Sequence, residues 1–493
     1  MPSGCGIGGE AFWLIWEAGT RRQHALNGSG RAAAAADPAG LRGRGLTTLP
    51  LRGGLSISVP GAVRSWSDAH ARFGRLSRGA ILGPAIELAD GGFPATDALI
   101  GAIERTAEVV AGEVGRDSGF QRVYRPHGRA WRPGEIIRLP ALATTLRRLA
   151  EEGFDAFYAG DLAERQGRTL AAAGSAITAA DLEAHRSTWT EPISTTYRGI
   201  RVTSHPPNSS GIVALELLNI LEQFDPPVRG PDARWIHLGI EASKLAMADR
   251  DARLTDPEFH EIPTGRLLDK TYAADLARRI DPARAARATA ATAPRGGGTI
   301  YLAAVDGEGN AVSLIESNYM GFGSGIVDPD TGIHYQNRGS YFSLDPDHAN
   351  VLAPGKRTLS TLLPGMLFRD EEAPWVVAGS MGGDAQPQIH AQLVSALVDG
   401  AVDIRTGVSA PRWFVEPDEH FAPPVEVRAE PRFAPGVLEE LEAMGHPVTR
   451  TEAFDSLLGH CHAIELVNGG PAAAEGSLAT ATDPRSDGLP AVR

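Results

Sequence analysis

Between Pro282 and Gly298 the chain is built almost wholly from Ala, Arg, Thr, Pro and Gly, with no apolar period that could bury one face of a helix or strand. Such a segment reads as an exposed linker. It ends abruptly. Thr299 to Asp306 and Ala311 to Ser317 are β-rich runs joined by Gly307-Glu308-Gly309-Asn310, a strong hairpin signal. Composition changes nowhere else so sharply, and Thr299 stands at the first position of the strand that follows.

The flanking sequence predicts alternating layers. Phe12 to Glu17 and Arg22 to Leu26 suit a hairpin around Gly19. Apolar residues recur at helical spacing over Ala62 to Phe73, Ser77 to Leu88, Leu139 to Glu152 and Leu162 to Ala173. Ile200 to Ser204 alternates as a strand, passes through His205-Pro206-Pro207-Asn208, and leads into helical runs at Val213 to Phe224 and Trp235 to Arg250. Strands at Trp375 to Ala378, Val425 to Ala429 and His462 to Val467 then alternate with helices at Gln386 to Val398 and Pro435 to Met444. The pattern is that of a layered α/β architecture.

Charge and length exclude several classes. A formal net charge of -13 argues against an electrostatic grip on nucleic acid. No apolar stretch approaches a membrane span, so a membrane partner is not expected. Cys5 and Cys461, the two cysteines, suit packing better than a disulfide framework. The opening lacks a secretion signal and enters a glycine-rich turn and strand almost at once, which reads as a start inside a fold, so the compartment stays open.

A threonine hydroxyl attacks carbonyls poorly unless a base takes its proton, and a threonine at a chain terminus can use its own α-amine for this. Arg295-Gly296-Gly297-Gly298-Thr299 offers an accessible bond whose glycines tolerate the strained geometry of an internal N-to-O shift. Threonine at a strand start for its β propensity, after an ordinary glycine loop, explains the same residues without chemistry.

Further blocks decide between the two. Gly6-Ile7-Gly8-Gly9 with Phe12, Ser58-Val59-Pro60-Gly61, Gly92-Phe93-Pro94, Pro206-Pro207-Asn208-Ser209-Ser210-Gly211, Thr299 to Ser317, Gly323-Ser324-Gly325, Pro354-Gly355-Lys356-Arg357, Gly379-Ser380-Met381-Gly382-Gly383 and Asp483-Pro484-Arg485 occur in the order seen in γ-glutamyltransferases (γ-glutamyltranspeptidases, glutathione hydrolases). The chain resembles that family along essentially its whole length. The resemblance implies a four-layer αββα sandwich of the N-terminal nucleophile hydrolase type. It also implies a proenzyme cut between Gly298 and Thr299 into interleaved parts, 1–298 and 299–493, with neither metal nor organic cofactor needed. The expected partner is a small γ-glutamyl or related amide; a homodimer is left open. By the same resemblance Thr299 is the nucleophile, Ser317 the hydroxyl beside it, Gly382 and Gly383 supply the oxyanion hole, and Ser360 and Thr361 hold the substrate carboxylate.

Two slots depart from the family's pattern. Its carboxylate-binding arginine falls on Ser29, with Arg31 the nearby candidate replacement. Its amine-binding acid falls in Gln336-Asn337-Arg338-Gly339-Ser340-Tyr341-Phe342, which carries no carboxylate; Arg338 and Tyr341 fill the polar slots. A cation there repels an α-ammonium and attracts a carboxylate. The stretch from Phe342 to Lys356 is short, so an open site is expected. This pattern is similar to the branch of γ-glutamyltransferase-like and cephalosporin-acylase-like enzymes, and an acylase for other dicarboxylic monoamides is the alternative activity. An inert, binding-only relative is the competing class, motivated by the abrupt start.

Other signals are set aside. Gly4-Cys5-Gly6-Ile7-Gly8-Gly9 fits a dinucleotide fingerprint only formally, since a strand follows it. His460 and His462 lack a third metal ligand at useful spacing. Glu151-Glu152 and Glu371-Glu372 read as solvated ends and turns.

Overall fold

The computed structural model describes residues 2–115, 118–228, 230–286, 298–416, 426–473 and 475–492. Most of the predicted linker, residues 287–297, lies outside the described residues. The chain enters as the hairpin β1 (Glu10–Glu17) and β2 (Arg22–Gly28). After a helical stretch come β3 (Thr188–Thr190), β4 (Ile193–Tyr197) and β5 (Ile200–Ser204). Beyond the linker lie β6 (Gly298–Val305), β7 (Ala311–Tyr319), β8 (Gly365–Phe368), β9 (Val376–Met381), β10 (His460–Val467) and β11 (Ser477–Ala481). One sheet runs β3-β2-β1-β7-β6, the other β11-β10-β9-β8-β5-β4. Residues before and after the linker therefore share both sheets.

The two-residue period of β1 explains the layers. Phe12, Leu14 and Trp16 point toward the second sheet, where Leu14 and Trp16 pack with Met366, Phe368, Val377 and Leu466. Ile15 and partly buried Trp13 point the other way, onto Ala69 and Phe73 of helix α1 (Ala62–Phe73). On the far side of the second sheet lie α2 (Gly211–Leu221), α3 (Ala233–Arg253) and α4 (Gln386–Val398), whose apolar faces form one large core cluster. The result is an αββα sandwich. Helix α2 is buried along its whole length, as its almost unbroken apolar sequence requires.

Between the sheets, the Tyr301 ring of β6 lies against Gly379 of β9. A Cβ at Gly379 would sit 2.1 Å from Tyr301 Cε2, so only glycine allows the approach. Most sequence-predicted elements appear within a few residues of their expected ends, and α1, β5 and α4 match theirs. The helix expected over Ser77 to Leu88 runs Arg78–Gly91, carrying Pro84 inside it. Helix Asp97–Glu113 and strands β4 and β8 were not anticipated.

Candidate active site

Thr299, Ser317 and Glu10 stand in one row across β6, β7 and β1, because Thr299 pairs with Ser317 and Ser317 pairs with Glu10. Antiparallel partners share a face, and Glu10 is in phase with Phe12 and Leu14, so the row faces the second sheet. Just before it the pairing shifts: Gly298 faces Tyr319, leaving Asn318 as a bulge. Tyr319 follows at φ 72°, a left-handed conformation uncommon for a bulky residue. That turn aims the Tyr319 N–H at Ser317 Oγ, 2.7 Å away.

The hydroxyls form a directed chain. Ser317 Oγ lies 2.9 Å from Thr299 Oγ1 and 2.9 Å from the Gly298 carbonyl oxygen. A carbonyl only accepts, so the Ser317 proton goes to Gly298, and Thr299 donates its own proton to Ser317. The Thr299 hydroxyl thus sits beside the bond expected to be cut, whose carbonyl is polarised by Ser317. Residues of the N-terminal segment cover this junction: a Cβ on Gly4 would lie 3.2 Å from the Thr299 nitrogen, and Gly4 accepts from Asn318 N at 2.9 Å.

Beside the row lies a buried ionic cluster. Arg338 Nε donates to Glu10 Oε1 at 2.6 Å and its Nη1 donates to Thr361 Oγ1 at 2.9 Å; Ser360 Oγ donates to the same Glu10 oxygen at 3.0 Å. The guanidinium carbon stands 4.5 Å from the Tyr319 ring centre. Arg338 and Glu10 are each 1% exposed, and Arg338 Nη2 has no hydrogen-bond partner among the described residues. Tyr341 packs against Tyr319 with ring centres 4.7 Å apart and planes tilted by 41°, and donates its hydroxyl to Asp384 Oδ2 at 2.7 Å. Burial, reinforced by Asp384, holds the Tyr341 hydroxyl well above the usual phenol range. Arg250 of α3 grips the other Asp384 oxygen.

Gly382 and Gly383 follow β9 and lead into Asp384, both at positive φ (153° and 56°). The positive φ at Gly382 favours glycine, and a Cβ there would also lie 2.7 Å from Ile389 Cδ1, whose end would have to turn aside. With its amide turned to face two acceptors, Gln386 donates to the Thr361 and Ser380 carbonyls at 3.0 and 3.2 Å, tying this turn to the Ser360-Thr361 pair.

The fold therefore brings Thr299 and Ser317 together, sets Ser360 and Arg338 on Glu10 with Thr361 on Arg338, and links Tyr341 through Asp384 to the Gly382-Gly383 turn. It does not bring Arg31 into that group. Arg31 bonds to Glu258 at 2.8 Å and to the Gly355 carbonyl at 3.0 Å. Ser29, the other residue of that slot, donates to Asn27 Oδ1 at 2.7 Å. The open site expected from the short 342–356 stretch is corrected. Thr299 is 6% exposed and Ser360 and Thr361 are fully buried, and Asn350 within the stretch donates to Tyr341 O and Thr358 Oγ1.

Sequence reasoning missed Glu10, Tyr319, Arg250 and Asp384. A carboxylate opening an otherwise apolar strand was the available signal for Glu10; the others had none. The set-aside residues have ordinary partners. His460 meets Ser456 Oγ, His462 accepts from Asp483 N, and burial pushes both cysteine thiols up to about 12. Among the described residues no helix is long and apolar enough to cross a membrane.

This sandwich, with a buried threonine at the start of an edge strand beside a buried polar cluster, defines the class of N-terminal nucleophile hydrolases. Residues 1–492 match the family model described as gamma-glutamyltranspeptidase, and the chain belongs to that family. It is 38% identical over 492 residues to the glutathione hydrolase-like YwrD proenzyme of Bacillus subtilis, covering 99% of this chain and 90% of the relative. Similarity to the oxamate amidohydrolase proenzyme of Klebsiella pneumoniae is 37% over 501 residues, again 99% and 90%. Among solved structures, the cephalosporin acylase from Bacillus halodurans superposes with a TM-score of 0.88 at 37% identity, over 99% of this chain and 88% of that one.

Proposed function

We propose that this chain is a proenzyme that cuts itself before Thr299 and then hydrolyses or transfers γ-glutamyl amides of the glutathione type through an ester on Thr299. The observation that carries this reading is the hydrogen-bonded chain from Thr299 Oγ1 through Ser317 Oγ to the Gly298 carbonyl, each link 2.9 Å long.

In the uncut chain Thr299 Oγ1 attacks the Gly298 carbonyl carbon while Ser317 donates to the developing oxyanion. The C–N bond breaks, the Thr299 nitrogen takes the proton, and water hydrolyses the resulting ester. Residues 1–298 and 299–493 remain joined through the shared sheets. The freed α-amine then acts as base for its own hydroxyl, which attacks a substrate amide. The Gly382 and Gly383 N–H groups serve as the oxyanion hole. The leaving amine departs protonated, and water or an acceptor amine takes the acyl group from Thr299.

Ser360, Thr361 and Arg338 hold the substrate carboxylate in this account, with Arg338 rather than Arg31 as the cation. A second reading, an acylase for other dicarboxylic monoamides, is favoured by one observation: residues 336–342 place the buried Arg338 where an α-ammonium would need an acid. The relatives named for oxamate and cephalosporin substrates make that comparison pertinent. Parallel assays of γ-glutamyl-4-nitroanilide, glutaryl-4-nitroanilide and oxamate, with Thr299→Ala as the blank, decide between the readings. Preference for the γ-glutamyl amide supports the first and preference for the others the second. Failure to turn over any of them by a correctly cut protein refutes both.

A further inference from the structure

Helix α3 carries His237 and Glu241 four residues apart, hence on one face, and His446 reaches them from the turn after helix Val437–Ala443. One ligand atom from each of the three lies within 4.8 Å of the others, and all three residues are buried. Nothing in the proposed catalytic cycle uses them.

The imidazole roles follow from the partners. His237 Nε2 lies 2.8 Å from the Asp281 carbonyl oxygen. A carbonyl only accepts, so Nε2 carries the hydrogen and His237 Nδ1 presents its lone pair, 2.7 Å from His446 Nε2. A backbone carbonyl on the far nitrogen is the usual device that orients a metal-binding histidine. Two imidazoles and one carboxylate are the donor set of a three-ligand zinc site, with water as the fourth ligand.

We infer that His237, Glu241 and His446 form a divalent-cation site of the zinc type. Ligands about 2.0–2.1 Å from a tetrahedral metal lie roughly 3.3 Å apart, so the two ring nitrogens open slightly from their hydrogen-bonded separation on binding. Lys244 opposes this: its Nζ donates to Glu241 Oε1 at 2.6 Å. It also donates to the Ala286 carbonyl at 3.1 Å and keeps some solvent access, so it has another partner when a dication takes the carboxylate oxygen.

The position gives the site a role. Glu241 Oε2 accepts from Ala286 N at 3.2 Å, and Ala285 N donates to Met444 O at 2.8 Å, so residues 281–286 are fastened to the same cluster. His237 and Glu241 precede Thr299 while His446 follows it. The cation therefore bridges the two pieces of the cut protein and clamps the chain shortly before its break. Only this bridging rests on the cleavage proposed above; the binding does not.

The test uses tag-free protein stripped with a chelator and titrated with Co2+, read by visible absorption, then with Zn2+ in competition. Wild type and the uncut Thr299→Ala chain are expected to take a single cation each, and His446→Gln and His237→Gln to lose it while keeping their circular dichroism. No uptake by wild type, or unchanged uptake by folded His446→Gln and His237→Gln, overturns the site and leaves the imidazoles as a simple hydrogen-bonded pair. In cut wild type, Zn2+ should raise the urea concentration at which the fragments separate, with no rise in His446→Gln. Zn2+ uptake without that rise overturns the bridging role.

Discussion

The Glu10 carboxylate accepts the Arg338 Nε–H at 2.6 Å although 328 positions separate the two residues, and both are withdrawn from water. Breaking a buried ion pair from one side leaves an uncompensated charge and costs about 3–5 kcal/mol. Arg338→Met should therefore lower stability by that order in urea unfolding. Combining it with Glu10→Gln should recover a substantial part, since no lone charge remains. Equal losses in the single and double variants would contradict the pairing.

Ser317 both receives the Thr299 proton and supports the Gly298 carbonyl. Ser317→Ala should slow the appearance of the two fragments by about 10²–10³-fold, the usual effect of removing one oxyanion donor. Ser317→Thr should stay within roughly tenfold of wild type, because it keeps the hydroxyl. A time course on denaturing gels checks both.

The Tyr341 hydroxyl holds Asp384 next to the Gly382-Gly383 turn. Tyr341→Phe removes a hydrogen bond to a carboxylate, a loss of about 1.5–3 kcal/mol. Because the turn is proposed to meet the transition state, kcat should fall more than KM rises. Steady-state kinetics with the preferred amide reads the split; a pure KM effect would place Tyr341 in substrate binding alone.

Burial pushes the Glu316 carboxyl up to about 7 against the opposing hydrogen bond from Trp66. Its folded value lies above the unfolded one near 4.5, so the native state holds the proton more tightly. The stabilisation is complete below about pH 4.5 and disappears as pH rises to about 7, on the order of 3 kcal/mol in all. Glu316→Gln should remove this component, so that wild type minus variant stability falls with pH across that window and is flat above it. Thermal melts between pH 4 and 8 provide the curve.

How much of this was legible in sequence differs by residue. The adjacency of Thr299 and Ser317 was readable because a linker, a hairpin turn and a strand period coincide there, and the family blocks supplied the roles proposed for them. Helix α4 and strand β5 were readable from local period alone. Strand β8, Gly365–Phe368, was not, since four buried residues carry no alternation that distinguishes a strand from a helical fragment. Glu10, Arg250 and Asp384 were missed because a charge becomes informative only when its partner is known, and their partners lie 328, 134 and 43 residues away. His446 lies 209 residues from His237, too far for spacing to pair them, whereas His460 and His462 are neighbours on one strand.

The central claim, that Thr299 is freed by cleavage of the bond after Gly298, is tested most directly by intact mass. Purified wild type should show two masses corresponding to a break between Gly298 and Thr299, and Thr299→Ala a single uncut mass with the same circular dichroism. A folded wild-type chain that stays whole, or a Thr299→Ala chain that splits at the same bond, would contradict the account.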